Sequence, residues 1–133
     1  MSSYVLDASA VLALLNAEPG SERVRDVIDR DYCVVSVVNA CEVLSKLMDH
    51  GLSPEEAVFA LDALEIREES LDGPIARAAA TLRTQTRQRG LSLADRACLA
   101  LAQSLDAVAL TADRPWLGLD LGIRVECIRP MAE

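Results

Sequence analysis

The 133-residue sequence predicts a three-layer α/β/α domain with a mainly parallel sheet. Short apolar runs alternate along the chain with longer segments of helical periodicity, which is the order of elements in βαβ units. Hydrophobic residues make up 51% of the chain and aromatic residues only 3%, so the core is expected to consist of aliphatic side chains. Continuous aliphatic runs are typical of parallel strands that are covered by helices on both faces.

Five segments have the composition of strands. The clearest are continuous apolar or β-branched runs such as YCVVS and AVALT, each followed by a helical segment or a turn. The predicted strands are residues 4–6, 32–36, 64–68, 107–111 and 122–128, and Arg129-Pro130 ends the last of them.

The predicted helices are bounded by residues that commonly cap or end helices. Ser21, Ser53 and Ser92 are expected to be N-caps, because a serine hydroxyl accepts a hydrogen bond from a free amide of the first turn. Gly51 is expected to end a helix in the left-handed conformation. The predicted helices are residues 8–16, 21–30, 37–50, 54–63, 73–90 and 93–104, with one further helical turn at 113–117.

The length of the chain predicts a single domain, residues 1–133. No apolar run reaches the roughly 18 residues of a membrane span, and the N-terminus lacks the basic and apolar regions of a signal peptide, so we expect a cytoplasmic protein. The cysteines form no C-x-x-C pair and lie in apolar contexts, which favours reduced core thiols over metal ligands. They are Cys33, Cys41, Cys98 and Cys127.

The net charge of -8 argues against a generic nucleic-acid-binding protein. The charge is unevenly distributed, however, because the stretch from Pro74 to Ala94 contains four arginines and no acid. Such an arginine stripe is either a solvated helix face or a local contact for a phosphate backbone. Its members are Arg77, Arg83, Arg87 and Arg89.

Two acidic residues follow predicted strands, Asp7 after the first and Asp113 after the fourth. Each could simply be the N-cap of the helical segment that comes next, since Asp is a favoured cap. In an open parallel sheet, however, the carboxyl ends of the strands share one edge, where binding sites form. Their positions therefore allow a local capping role or membership of a common site.

Glu42 lies in the predicted helix after the second strand, within NACEVL. It shares a polar helix side with Lys46, and an exposed ion pair four residues apart would explain it without any site. Asn39 could also cap this helix, with Glu42 three residues later.

Asp95 lies within LSLADRACLALA, three residues after Ser92, and the two could form a capping box. Its neighbours on the same helix face are apolar, whereas Arg96 and Gln103 are expected on the solvent side. A carboxylate among apolar groups is costly unless it is paired or bound to a metal. The sequence around Asp95 therefore favours a functional role.

Four acids at one sheet edge, with no Lys or His expected among them, would repel each other and raise each other's pKa values. One or two divalent cations would resolve the repulsion, and an oxygen-only site favours Mg²⁺ or Mn²⁺ over zinc. Such sites commonly activate water for phosphoryl chemistry. No histidine nucleophile is needed, and the only histidine, His50, is expected to contact the C-terminus of its helix.

With these residues the sequence resembles the PIN-domain nucleases, and among them the VapC toxins of bacterial toxin–antitoxin pairs. The resemblance extends over essentially the whole chain and is carried by four short pieces in order. They are the strand end D-x-S with Asp7 and Ser9, NACEVL with Glu42, LSLADRACLALA with Asp95, and LTADRPW with Asp113.

The resemblance implies a PIN fold with a five-stranded parallel sheet and a Mg²⁺-dependent endoribonuclease that cleaves cellular RNA with a metal-activated water. Asp7 and Asp95 match metal ligands of the family, and Glu42 and Asp113 match the other two acids, acting directly or through water. Ser9 matches a supporting polar position, and Thr111 is a candidate for the same role. Some relatives carry a further acid soon after the fourth, which residues 114–117 lack here, and this implies a weakly held second metal.

The resemblance also implies partners. Such toxins form homodimers and are silenced by a cognate VapB-type antitoxin, whose C-terminal segment lies over the cleft and places a basic side chain among the acids. The pair binds operator DNA through the antitoxin, and RNA is the substrate of the toxin.

Three other classes share parts of the pattern. A haloacid-dehalogenase-like phosphatase has D-x-D where this chain has Asp7 and Ser9, and it also needs a lysine in the site, whereas Lys46 is the only lysine. A response-regulator receiver domain needs a lysine and an early acid pair. A catalytically inactive PIN-fold binding module would fit the fold, although all four acids are present.

Overall fold

The computed structural model describes residues 2–129, and its strands form one five-stranded sheet. The strands are β1 (Ser3–Leu6), β2 (Tyr32–Ser36), β3 (Arg67–Glu69), β4 (Val108–Thr111) and β5 (Val125–Cys127). Their order is β3-β2-β1-β4-β5, and every neighbouring pair is parallel. The predicted α/β fold class is therefore confirmed, with β1 at the centre of the sheet.

Helices connect the parallel strands. They are α1 (Ala8–Leu15), α2 (Ser21–Arg30), α3 (Val37–Asp49), α4 (Pro54–Asp62), α5 (Gly73–Thr81), α6 (Arg83–Thr86) and α7 (Leu93–Leu105). Two 3₁₀ turns, Arg87–Arg89 and Arg114–Trp116, complete the elements. Among the described residues, no helix combines the length and the apolar character that crossing a bilayer requires.

Alternate strand residues face opposite sides of the sheet, and each side has its own core. Leu6, Val35 and Leu110 pack with residues of α1, α2, α3 and α4. Val5 and Val34 face the other side and pack with residues of α5 and α7. This alternation produces the three predicted layers, because side chains in a strand point to the two faces in turn.

Several predicted boundaries differ from the structure. The N-cap of α2 is Gly20, with no side-chain capping bond, so the predicted cap at Ser21 is wrong. The cap of α3 is Ser36, whose hydroxyl accepts from the amide of Asn39, so Asn39 is not a cap. Ser53 and Ser92 do cap α4 and α7, each in a capping box.

The third strand lies later than predicted, at residues 67–69 instead of 64–68. Leu64 belongs to the core beside α4, and Glu65 adopts a left-handed conformation with φ 56° that turns the chain toward the sheet edge. The single predicted helix 73–90 is three pieces, α5, α6 and the 3₁₀ turn, and it ends at left-handed Gly90. The strand predicted at 122–128 is shorter, and the stop predicted at Pro130 lies outside the described residues.

The edge strand β5 is held to α2 by the side chain of Arg23. Its guanidinium donates two hydrogen bonds to the carboxylate of Glu126, at 2.6 and 3.0 Å, and one to the hydroxyl of Tyr4. At Gly20, with φ 94°, an added Cβ would lie only 2.8 Å from the carbonyl oxygen of Ile128. This close approach brings the α1–α2 loop against the end of β5.

The cysteines are only partly as predicted. All four are free, and Cys33 and Cys98 are buried. Cys41, however, is exposed on α3 and Cys127 is half-buried, so the expectation of four core thiols is wrong for Cys41. Cys41 is exposed because it lies on the solvent-facing side of α3, although its neighbours in the sequence are mostly apolar.

Candidate metal centre

The order of the strands places a crevice at the carboxyl end of the central strand. The chain runs from β1 outward through β2 to β3, and then returns to form β4 on the other side of β1. Ligand sites in open α/β sheets form where the strand order reverses in this way. Asp7 follows β1 directly, and Asp113 follows β4 by two residues, so both lie at this point.

Asp7 is both a helix cap and a member of the site. It is the N-cap of α1, and its Oδ1 accepts a hydrogen bond of 2.9 Å from the amide of Ala10. Only 1% of Asp7 is exposed. The hydroxyl of Ser9 donates to both carboxylate oxygens, at 2.8 and 2.9 Å, and the hydroxyl of Thr111 donates to Oδ2 at 2.7 Å.

Burial raises the pKa of Asp7 from its ordinary value of 3.8 to about 7. The hydrogen bonds from Thr111, Ala10 and Ser9 act in the opposite direction, because they stabilise the ionised form, and the nearby charge of Asp113 adds to the increase. A cation bound beside this carboxyl group would favour its ionised form and so lower the pKa again.

The two hydroxyls join the loops that follow β1 and β4. Ser9 Oγ accepts from the amide of Ala112 at 2.9 Å, and Thr111 Oγ1 accepts from the amide of Asp113 at 3.0 Å. Each hydroxyl therefore binds Asp7 as a donor and a backbone amide of the loop after β4 as an acceptor. Ser9 and Thr111, for which the sequence suggested a supporting role, thus both contact the carboxylate of Asp7.

We expect Thr111→Val to destabilise the metal-free protein by about 1–3 kcal/mol, because the isosteric side chain leaves the amide of Asp113 without its acceptor and Asp7 without its shortest hydrogen bond. Urea denaturation measures the change. Thr84→Val is the matched control: that hydroxyl bonds only a carbonyl of an exposed helical segment, and we expect a change below about 0.5 kcal/mol. Equal effects of the two substitutions would contradict a structural role of the Thr111 hydroxyl.

Asp95 lies in the first turn of α7 and also has a local role. Its carboxylate accepts from the amide of Ser92 at 2.9 Å, and its own amide donates to the hydroxyl of Ser92 at 3.1 Å. The predicted capping box is confirmed, and it fixes the carboxylate at the helix N-terminus, where a negative charge is stabilised. Arg96 does not face solvent as predicted: it is buried and donates to the carbonyl of Ala79 at 3.0 Å.

The structure brings three of the four predicted acids together. One carboxylate oxygen from each of Asp7, Asp95 and Asp113 lies within 4.8 Å of the other two. Burial raises the pKa of Asp113, and the charge of Asp95 adds to the increase, whereas the charges of Arg129 and Lys46 lower it. The contribution of Asp95 is the repulsion expected when carboxylates share a site. Oxygen-only donors at this separation fit a hard divalent cation such as Mg²⁺.

Glu42 is the fourth predicted acid and stands apart from this group. It is half-buried on α3 and lines the same cleft of about 340 Å³, but it does not belong to the close carboxylate cluster of the described residues. Its position allows contact with a bound group across the cleft.

The cleft also contains charged residues for which the sequence predicted another role or none. They are Glu18, Lys46, His50 and Arg129. The expectation that no lysine or histidine lies among the acids is therefore wrong. Glu42, Lys46 and His50 are four residues apart, and this spacing could have indicated a shared helix face. Glu18 and Arg129, in contrast, lie in loops that no local sequence pattern connects.

The arginine stripe lies outside the cleft. Its four members are exposed on α5, α6 and the adjoining 3₁₀ turn, and none is among the described residues that line the cleft. Arg89 donates to the carbonyls of Pro115 and Leu117, at 2.9 and 3.0 Å, and so supports the loop after Asp113.

The profile of the PIN domain family matches residues 4–118. The chain belongs to the PIN domain family. A search of curated protein sequences finds no significant match.

Solved structures share the fold of this PIN domain. VapBC2 from Rickettsia felis, bound to a DNA fragment from its promoter, has 15% identity and a TM-score of 0.74, with 93% of this chain and 97% of that chain covered. VapBC-1 from nontypeable Haemophilus influenzae has 20% identity and a TM-score of 0.72 over 95% and 98% of the two chains. The sarcin–ricin-loop-cleaving toxin VapC20 from Mycobacterium tuberculosis has 18% identity and a TM-score of 0.70 over 84% and 90%.

Proposed function

We propose that this PIN domain is a Mg²⁺-dependent endoribonuclease that cleaves cellular RNA, and that it acts as the toxin of a type II toxin–antitoxin pair. The observation that carries the proposal is the oxygen-only cluster of Asp7, Asp95 and Asp113 at the strand-order reversal. The substrate is proposed from the family, and the cytoplasm is where such a toxin would meet its RNA. Mn²⁺ is a possible substitute for Mg²⁺, since both prefer oxygen ligands.

The four acids have two parts in the proposed reaction. Asp7, Asp95 and Asp113 would hold the cation, and Glu42 would contact it through water from the opposite wall. A bound divalent cation supplies a water of lowered pKa and offsets charge on the phosphate. Ser9 and Thr111 keep both oxygens of Asp7 oriented through hydrogen bonds of 2.7–2.9 Å.

The proposed partners follow from the same family. The structural relatives from Rickettsia felis and Haemophilus influenzae are VapBC proteins, the first bound to promoter DNA. We propose a VapB-type antitoxin that covers the cleft with its C-terminal segment, operator DNA bound only through that antitoxin, and a homodimer of the toxin.

A catalytically inactive PIN-fold binding module is the second candidate. The close cluster of three carboxylates disfavours it, because like charges within 4.8 Å are costly unless a cation or a proton compensates. The exposed arginines Arg77, Arg83, Arg87 and Arg89 are proposed as a secondary RNA contact in either case, because they form a region without acids on an otherwise acidic protein.

Removal of the metal tests the proposed activity. We expect purified protein to cleave structured RNA in Mg²⁺, to lose the activity in EDTA, and to regain it when Mg²⁺ or Mn²⁺ is restored. Sequencing of the new RNA ends would identify the cleavage position. Undiminished cleavage in EDTA would contradict a metal-dependent mechanism, and inactivity on every RNA in Mg²⁺ would favour the binding module.

A further inference from the structure

The only lysine and the only histidine of the chain line the acidic cleft. Lys46 and His50 lie four residues apart at the end of α3, on the same side as Glu42. In a chain of net charge -8, two basic side chains on one wall of an acid-rich cleft require a physical explanation.

The cleft extends away from the carboxylate cluster as a groove between two helices. Both helices begin at the carboxyl-end edge of the sheet, α1 after Asp7 and α3 after Ser36. Leu12 and Asn16 of α1 line one side of the groove, and Glu42, Lys46 and His50 of α3 line the other. Successive residues on the α3 wall are about 6 Å apart along the helix axis, so His50 is one turn beyond Lys46.

Lys46 is held by no side chain of the described part of the protein. Its side chain is exposed and makes no hydrogen bond or ion pair with residues 2–129, and a salt bridge to Glu42, as the sequence suggested, does not form. Its charge nevertheless acts on the carboxylate cluster, because it lowers the pKa of Asp113. Arg129, the other strong base in the cleft, is already engaged with Glu18 and the carbonyl of Pro19, both at 3.4 Å. Lys46 therefore offers an ammonium group to a ligand, whereas Arg129 supports the loop.

We propose that Lys46, with His50 one turn further, binds the phosphate next to the scissile phosphate of a single RNA strand. The inference rests on the proposed function. The ligand of the α3 wall would be a polyanion that has one phosphate at the carboxylate cluster and the next phosphate within reach of α3. Lys46 and His50 are thus substrate-positioning residues that select an oligonucleotide over a compound with one phosphodiester.

The first test compares Lys46→Met with the matched charge control Arg25→Met, whose side chain is exposed on α2 outside the cleft. Binding of a fluorescein-labelled single-stranded oligoribonucleotide is measured by anisotropy, with Ca²⁺ in place of Mg²⁺ to suppress cleavage. We expect Lys46→Met to weaken binding about five- to tenfold and to lower the slope of log affinity against log salt by about 0.7. Arg25→Met should leave the slope unchanged, and Lys46→Arg should restore it.

The second test separates positioning from chemistry. In Mg²⁺, Lys46→Met should raise KM for the oligoribonucleotide while kcat changes less than about twofold. It should reduce hydrolysis of bis(p-nitrophenyl) phosphate much less than cleavage of the oligoribonucleotide, because that compound has no neighbouring phosphate to lose. His50→Gln should show the same pattern with a smaller effect. An equal loss on both substrates would overturn the positioning role.

The third test uses the uniqueness of the lysine. Acetylation of intact protein with an activated ester can modify one side-chain amine, Lys46, besides the terminal amine, and peptide mass spectrometry distinguishes the two sites. We expect the oligoribonucleotide to slow modification of Lys46 and not of the terminal amine. Equal rates with and without RNA, together with an unchanged affinity of Lys46→Met, would overturn the inference.

The outcomes for the two proposals are distinguishable. If the wild type and Lys46→Met cleave RNA equally well, the phosphate contact is overturned and the nuclease proposal stays intact. Conversely, a protein that cleaves no RNA but binds the strand in a Lys46-dependent manner would overturn the activity and support the contact.

Discussion

Replacing Asp7 with Asn should lower metal-dependent RNA cleavage by at least about 10³-fold and, at the same time, make the metal-free protein more stable at neutral pH. The first effect follows because a neutral amide is a poor ligand for a hard cation, and a bound cation contributes several kcal/mol of transition-state stabilisation. The second follows because the wild type buries a carboxyl group whose pKa is raised to about 7.

The pH dependence of this stability has a definite sign. Below about pH 4, Asp7 is protonated in the folded and unfolded states, and its charge costs nothing. Between about pH 4 and 7 only the unfolded state ionises, so stability falls as the pH rises, by about 1.4 kcal/mol per unit. Above about pH 7 the full penalty remains, up to about 4 kcal/mol from the shift of this group.

The asparagine of this variant can occupy the same position because the surrounding hydroxyls can reorient. Its amide oxygen can still accept from Ala10, and Thr111 can accept from its amide nitrogen while donating to Ser9, whose oxygen lies 3.3 Å away. Thermal unfolding in EDTA at about pH 5 and about pH 8, on either side of the raised pKa, measures the effect. We expect Asp7→Asn to be more stable than the wild type at about pH 8, and we expect a much smaller difference at about pH 5. Added Mg²⁺ should stabilise only the wild type.

The control is Asp29→Asn, which removes an equal charge from the exposed surface of α2. It should cleave RNA at the wild-type rate and change stability by less than about 0.5 kcal/mol. If Asp7→Asn cleaves RNA as well as this control, Asp7 does not hold the metal. If Asp7→Asn is less stable than the wild type at every pH, the hydrogen bonds of the Asp7 carboxylate outweigh the cost of burying its charge in the wild type.

Trp116→Ala should destabilise the protein by about 3–5 kcal/mol, the largest loss that we expect from a single truncation in this chain. Trp116 is 1% exposed and packs in the core on the α7 side of the sheet. Its 3₁₀ turn begins immediately after Asp113, so the cavity would also loosen the loop that carries this carboxylate. Urea denaturation followed by circular dichroism measures the loss, because the variant has no tryptophan for fluorescence.

Two comparisons make the result interpretable. Leu93→Ala truncates a side chain that is 63% exposed, and it should cost less than about 1 kcal/mol. Trp116→Phe should cost less than the alanine variant, because the ring refills part of the cavity. A loss at Trp116→Ala no greater than at Leu93→Ala would show that the indole does not stabilise this side of the sheet. A lower apparent affinity for Mg²⁺ in Trp116→Ala would link the packing to the position of Asp113.

The sequence predicted the elements that depend on local patterns. The continuous runs around Val34 and Ala109 are strands because β-branched and apolar residues suit a sheet that is buried on both faces. Ser53 and Ser92 cap helices because their hydroxyls reach the free amides of the same turn. Prediction failed at β3, where charged residues form an edge strand only because β2 offers its hydrogen-bonding groups there.

By itself, the sequence determined the fold class and the positions of Asp7, Asp95 and Asp113 at element ends, because alternating periodicity and capping signals are local properties. Only the tertiary structure decided which charges share the cleft. The crossover from β3 to β4 brings Asp113 beside Asp7, and the approach of Gly20 to Ile128 brings Glu18 near Arg129. Burial, which raises the pKa of Asp7, depends on contacts between distant segments. The local spacing indicates that Lys46 and His50 share a helix face, but only the packing of α3 against α1 places that face in the cleft.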